Sequence, residues 1–434
     1  MARAKPGPPA GALKFAAFSA AGIFVFFVPV GGRVPIDRAT GALYAALAPV
    51  YLYLVLAMCA WAIFDMLRTG SYKKSAPDAV LSAFKLLGTA VTLLVAFRAD
   101  VPFLMAEGVA PATLDMMARS VIMIFTVAAF LPLLLDYGLV ESVGILAKRV
   151  MRPAFKIPGI TAVVCAGAAV ANFSIALISA GRLYRAGRLT ERETAVVATG
   201  FSTVSIGLML LICQLFGFSD MFLFYFAATS AVTYAVTAIT ARLPPLSRLP
   251  DAFCEGAKPD AEKDAGEGKL AKALEAGAAA AAGAPPLFAA VRGMLFLTLK
   301  ILSGMISSCM FVIVAGLLLN EHTPVFHWLG MAFYPVLRLF GMPEARSLAA
   351  GIGLAAVDVI PAVMFASALD LPAAARYVMA AFPVSVIIFA GSYYSCLVAA
   401  GIPVKARHLA ALWFQRALLS LAFHCAIGLL VFGR

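Results

Sequence analysis

Asp358 sits in an otherwise apolar run with Gly351, Gly353 and Pro361 for neighbours. An ionisable side chain at the centre of a lipid-embedded helix costs about 2.5–3.5 kcal/mol and faces a cavity or a partner. Pro361, three residues on, has no N–H to donate, so it perturbs the preceding turn and frees a carbonyl. A carboxylate beside an interrupted helix can bind a coupling cation, take up a proton or hold a polar substrate. Its structural alternative is an acid paired with Arg376 or with a backbone donor. Asn172 and Ser174 occupy the comparable place in an earlier apolar stretch broken near Gly167. The Asn172 amide offers both donor and acceptor, and its structural alternative is a hydrogen bond between helices, worth about 0.6 kcal/mol.

Hydroxyls follow each interruption: Ser202, Thr203 and Ser205 after the first, Ser385 and Ser392 after the second, with Phe201 and Phe382 at matched positions. Small hydroxyl residues are also ordinary packing surface between membrane helices, and the rings can stack on a ligand or fill space. The candidate substrate-binding set is therefore Asn172, Ser174, Phe201, Ser202, Thr203, Ser205, Asp358, Ser385 and Ser392. Asp358 is the candidate for coupling a cation or proton. The four His (His322, His327, His408, His424) are too scattered for a metal site. No phosphate-binding loop, zinc-protease helix, nucleophile elbow or dinucleotide fingerprint is present. The expectation is no enzyme and no cofactor, with Na⁺ or H⁺ as the coupling ion.

The elements that carry these residues belong in lipid. Of 434 residues, 63% are hydrophobic and 13% charged, with a mean hydropathy of +0.95; soluble domains run at about 25% charged. The net charge of +12 fits basic cytoplasmic loops rather than nucleic-acid binding. Six of the seven Cys lie in apolar stretches with no C-x-x-C pair and read as small buried hydrophobes. At about 20 apolar residues per crossing, plain spans are expected at 13–30, 42–64, 81–97, 120–135, 195–216, 221–241, 291–319, 377–400 and 411–432. The interrupted stretches 158–181 and 345–369 read as hairpins: with the N-terminus inside, both flanks of the first are basic, and the second then enters from outside. The fold class is an all-α polytopic membrane protein of about nine transmembrane helices plus two re-entrant helical hairpins.

Residues 251–286 mix acids and lysines before an Ala/Gly run and read as a flexible, solvated cytoplasmic linker with room for a fraying Ala-rich helix. The units on either side are similar. Tyr137–Lys156 and Pro324–Gly341 are amphipathic and precede Pro158 and Pro343. A broken stretch follows each, and then Phe201-Ser202-Thr203-Val204-Ser205 and Phe382-Pro383-Val384-Ser385-Val386, 43 and 39 residues beyond the prolines. This predicts an N-terminal bundle (1–135), a first repeat (136–250), the linker (251–286) and a second repeat (287–434). The repeats form an inverted pair with a site where discontinuous helices meet. Thr190-Glu191-Arg192-Glu193 reads as a capping box.

Val34-Pro35-Ile36-Asp37, Arg182-Leu183-Tyr184, Ala198 through Ile206 with its F-S-T-V-S string, and Arg242-Leu243-Pro244-Pro245-Leu246-Ser247 resemble the YjiH-like family. These are bacterial inner-membrane proteins with the nucleoside-recognition Gate domain, and the resemblance covers nearly the whole chain outside the linker. Gate domains are similar to the hairpin-containing core of concentrative nucleoside transporters. The resemblance implies a transport-type core in the bacterial cytoplasmic membrane and does not itself imply a nucleoside. The expectation drawn from the residues and that core together is a permease for a small polar solute, a nucleoside-like one among the candidates. Cation-coupled alternating access is the default, because no ATP-binding segment is present. The same relatives leave open a non-transporting membrane subunit that assembles with a second Gate-type partner or with itself, and an ion-conducting path. The sequence departs from the family at Ala166–Asn172, where a Ser/Gly-rich break is expected.

Overall fold

The computed structural model describes residues 8–28, 30, 35–73, 76–105, 110–170, 173–204, 206–257 and 269–433. The chain begins with α1 (Pro8–Phe27), α2 (Pro35–Leu47), α3 (Tyr51–Thr69), α4 (Ala76–Ala96), the single turn α5 (Pro102–Met105) and α6 (Ala110–Leu135). Next come α7 (Leu139–Phe155), α8 (Thr161–Val170), α9 (Phe173–Arg185), α10 (Glu191–Phe201), α11 (Ile206–Leu215) and α12 (Phe222–Thr240). The connector carries α13 (Lys269–Gly283). The remainder is α14 (Leu287–His322), α15 (Val325–Met331), α16 (Tyr334–Leu339), α17 (Ala345–Leu354), α18 (Val359–Ser367), α19 (Ala373–Val386), α20 (Ser392–Ala399) and α21 (Ala406–Phe432). The all-α polytopic class holds. Among the described residues, five helices are long and apolar enough to cross a bilayer, and shorter pieces complete the rest.

The expected interruptions are hairpins in shape: α8 packs alongside α9, and α17 alongside α18. Three expected spans turn out to be broken as well. The stretch read as one helix over 195–216 splits into α10 and α11 around residues 202–205, and the one over 377–400 splits into α19 and α20 around 387–391. The stretch 42–64 likewise splits between α2 and α3. The same series therefore occurs twice: an amphipathic helix (α7; α15 with α16), a folded-back pair (α8–α9; α17–α18), an interrupted helix (α10–α11; α19–α20) and a long helix (α12; α21).

Two features hold the halves in place. α14 is 36 residues, about 54 Å at 1.5 Å per residue, and packs against α3, α4, α6 and α20. Gly88 lets α4 approach it: a Cβ there would lie 1.7 Å from the Ser307 carbonyl oxygen, the close contact small residues permit in lipid. The other is α13. Within the segment expected to be a flexible linker, this helix is seated between α1 and α7. Ser142 Oγ donates to Ala273 O at 2.8 Å, Tyr137 OH to Pro285 O at 3.0 Å and Lys14 Nζ to Ala284 O at 2.8 Å. Its alanines and glycines, which look like a spacer in sequence, are what allow the close seat.

Candidate functional site

α19 ends at Val386 and α20 starts at Ser392. Ile387, just past the end, has φ 69°, a left-handed conformation that β-branched side chains rarely adopt. The last carbonyls of α19 need donors, because lipid supplies none. Arg416 of α21, fully buried, provides them: Nε donates to Val386 O at 3.0 Å and Nη2 to Ser385 O at 3.1 Å. Nη1 donates to Thr237 Oγ1 on α12 at 3.1 Å. The guanidinium thus sits at the negative pole of a helix end.

At the other end of the break, Ala390 N–H and Gly391 N–H donate to Ala356 O (2.8 Å) and Val357 O (2.9 Å), in the turn between α17 and α18. The second hairpin is hydrogen-bonded to the interrupted helix. Asp358 follows directly. It is 5% exposed and N-caps α18, its Oδ1 accepting from Val359 N–H at 2.8 Å. A Cβ on Gly391 would lie 2.9 Å from Asp358 Oδ2 and 3.0 Å from Val357 O, so only glycine lets the two segments meet this closely. The carboxylate lies at the N-terminus of α18 and beside that of α20, where helix dipoles favour negative charge. Of the two structural partners expected for Asp358, the backbone donor is present. Arg376 is engaged elsewhere, donating to Phe216 O at 3.2 Å over the Phe218 ring.

The first hairpin reaches the same break. Phe173, the first residue of α9, meets Phe389 edge-on at 5.4 Å and Tyr393 at 6.3 Å between ring centroids. Ser174 is fully buried beside the Cys396 thiol, and its Oγ has no nitrogen or oxygen partner; Tyr393 OH has none either.

Of the other candidate residues, Asn172 and Ser205 lie outside the described residues, and so does the Ser392 side chain, although Ser392 opens α20. Phe201 packs against Phe155 (4.9 Å) and Tyr234 (5.5 Å), which fills space. Ser202 Oγ donates to Ala198 O one turn back at 2.6 Å. Thr203 Oγ1 and Thr229 Oγ1 lack partners and, with Val384 of α19, line a cavity of about 10 Å³, room for about one water. Ser385 Oγ is 2.7 Å from His424 Nε2, whose Nδ1 is 3.4 Å from Tyr377 OH. Sequence reasoning missed Arg416, Tyr393 and Phe389, while His424, read there as a packed residue rather than a ligand, is fully buried. Arg416 carried the same signal as Asp358, a charge inside an apolar run, but it falls where basic side chains often snorkel.

A cavity of about 1360 Å³ opens between the 244–250 loop, the 402–408 loop and α21. It reaches Tyr394 and Gln415, chain neighbours of Tyr393 and Arg416. Its charged lining is Arg248, Lys405 and Arg407 against Glu191, with His408 beside them. Nearby, ion pairs fasten the base of the first hairpin and the start of α10: Arg182–Asp136 at 2.5 Å, Arg188–Glu141 at 2.7 Å and Arg152–Glu193 at 2.6 Å. Burial lifts the Asp136 carboxyl above the usual carboxylate range against the pull of Arg182. The expected capping box is formed, with both reciprocal bonds between Thr190 and Glu193.

No family model matches the chain. An uncharacterized protein of Alkalihalophilus pseudofirmus is 28% identical over 293 residues, 67% of this chain, and the chain spans 63% of that relative's length. Among solved structures, the chain is similar to CNTnw, a concentrative nucleoside transporter, in an outward-facing state. That match covers 97% of this chain and 99% of CNTnw, at a TM-score of 0.50 and 13% identity. At such identity the likeness is one of fold: this chain is an all-α membrane protein whose helices follow the arrangement of a transporter.

Proposed function

We propose that the chain is a secondary transporter, moving a small polar solute across the cytoplasmic membrane by alternating access coupled to Na⁺ or H⁺. The observation that carries this reading is the meeting of both hairpins at residues 387–391, with a carboxylate at one end of the break and a guanidinium at the other. Half-helix ends that converge on unwound backbone supply dipoles and unpaired polar groups to a solute. The doubled series of elements supports an inverted repeat, in which the two hairpins enter from opposite faces with the N-terminus inside. Asp358, Ser174 and the backbone of 387–391 bind the solute, Asn172, Ser205 and Ser392 complete the site, and Asp358 couples the ion. Phe201, Ser202 and Thr203 support the first break.

The test is uptake by proteoliposomes offered a mixture of nucleosides, amino acids and dipeptides, read by mass spectrometry. Saturable accumulation that collapses with the ion gradient and with Asp358→Asn is expected. Failure to accumulate any solute by folded protein, together with a stable co-purifying membrane subunit, overturns the reading in favour of a non-transporting assembly.

A further inference from the structure

Arg416 donates three hydrogen bonds, two to helix-end carbonyls and one to a hydroxyl, and none of its partners is a carboxylate. A guanidinium carries five N–H groups, so two remain without an acceptor among the described residues. Tyr393, whose ring lies within electrostatic reach of Arg416, holds a fully buried hydroxyl with no partner. Ser420 Oγ, one turn along α21 from Arg416, is likewise buried and unpartnered. The positive-inside rule explains basic loops at a membrane face. It does not explain an arginine within α21 that no acid neutralises. Intramembrane charges pair with one another or with backbone carbonyls, and mark substrate paths; the two carbonyls and one hydroxyl that Arg416 bonds use three of its five N–H groups. The vestibule is lined by Tyr394 and Gln415, the chain neighbours of Tyr393 and Arg416, and by Arg248, Lys405 and Arg407 against Glu191.

We propose that the solute is a small anion, entering by the basic vestibule and presenting carboxylate or phosphate oxygens to the free N–H groups of Arg416 and to Tyr393 OH. The planar fork of arginine suits both oxygen geometries. For an anionic solute Asp358, at the far end of the break, acts through the coupling cation rather than by direct contact, and the Arg416 end takes the anion. This inference rests on the transport reading for the route, but binding can be measured without transport.

The experiment is thermal unfolding of the purified full chain in detergent at constant ionic strength, titrated with succinate, inorganic phosphate, uridine or choline. Removing Arg416 strips two α19 carbonyls of their donors and can unfold the protein, so the variant used is Tyr393→Phe, which deletes one hydroxyl. Saturable stabilisation by succinate or phosphate, with the apparent affinity about tenfold weaker in Tyr393→Phe, is the expected result. Equal stabilisation of both proteins marks a general salt effect and overturns the proposal. Stabilisation by uridine or choline alone, or by no probe, also overturns it. If the proteoliposomes accumulate a neutral or cationic solute, the anion fails and the transporter stands. If anions bind but nothing accumulates, the transporter fails and the anion site stands.

Discussion

Replacing Asp358 with Asn keeps a side-chain oxygen for the Val359 N–H and removes the charge. Asn and Asp cap helices about equally well, and the lost dipole attraction is worth about 0.3–1 kcal/mol. Asp358→Asn is therefore expected to fold with a melting temperature close to wild type and to lose accumulation in proteoliposomes. Asp358→Ala also loses the cap, at about 1 kcal/mol, and should melt measurably lower than the Asn variant. Gly391→Ala tests the contact rather than the charge. Its Cβ meets both the carboxylate and the Val357 carbonyl, and such overpacking costs about 1–3 kcal/mol, read as a drop in thermal stability larger than that of Asp358→Asn. Asp358 stands out in the sequence because a carboxylate surrounded by apolar residues needs a cavity or a partner. Arg416 could not, because Lys405 and Arg407 just upstream make it look like the last of a basic cluster at the membrane face. Only its fully buried position, bonded to Ser385 O and Val386 O, sets it apart.

The capping box at the head of α10 is legible because both of its partners lie within four residues of each other. Its loss in Thr190→Ala is expected to lower stability by about 1 kcal/mol, checked by thermal unfolding. The interruptions in α10–α11 and α19–α20 were not legible, for the opposite reason. Pro383 lies inside α19 without ending it, and the break comes four residues later, at Ile387. Nothing in the local sequence Ile387-Ile388-Phe389-Ala390 forbids a helix. The backbone groups left open there are satisfied by Arg416, by Ala356 and by Val357, about thirty residues away along the chain in either direction. A window of sequence sees the cost of such a break and not its compensation. The hairpins were easier to read, because Gly351, Gly353 and Pro361 stand within the stretch itself.

At the scale of the whole chain, composition alone assigned the molecule to lipid, since 63% hydrophobic residues leave no soluble alternative. It allowed a fraying helix in the connector but not its seat: the Ala/Gly run packs between α1 and α7. Gly277→Val tests that surface: even the first added carbon would lie 2.2 Å from Ser142 Oγ and 2.7 Å from the Phe15 ring. The variant is expected to unseat α13 and to make residues 269–283 sensitive to limited proteolysis, while the helical content of the rest persists. The same seat has a mechanical consequence. Asp136, in the turn before α7, pairs with Arg182 of α9, and Glu141 and Arg152 of α7 pair with Arg188, between α9 and α10, and with Glu193 of α10, while α13 grips α7 on one side and α1 on the other. Displacing that hairpin drags α7 along, and through α13 the pull arrives at the N-terminal helix. A spectroscopic reporter attached to α1 would then register any displacement of that hairpin.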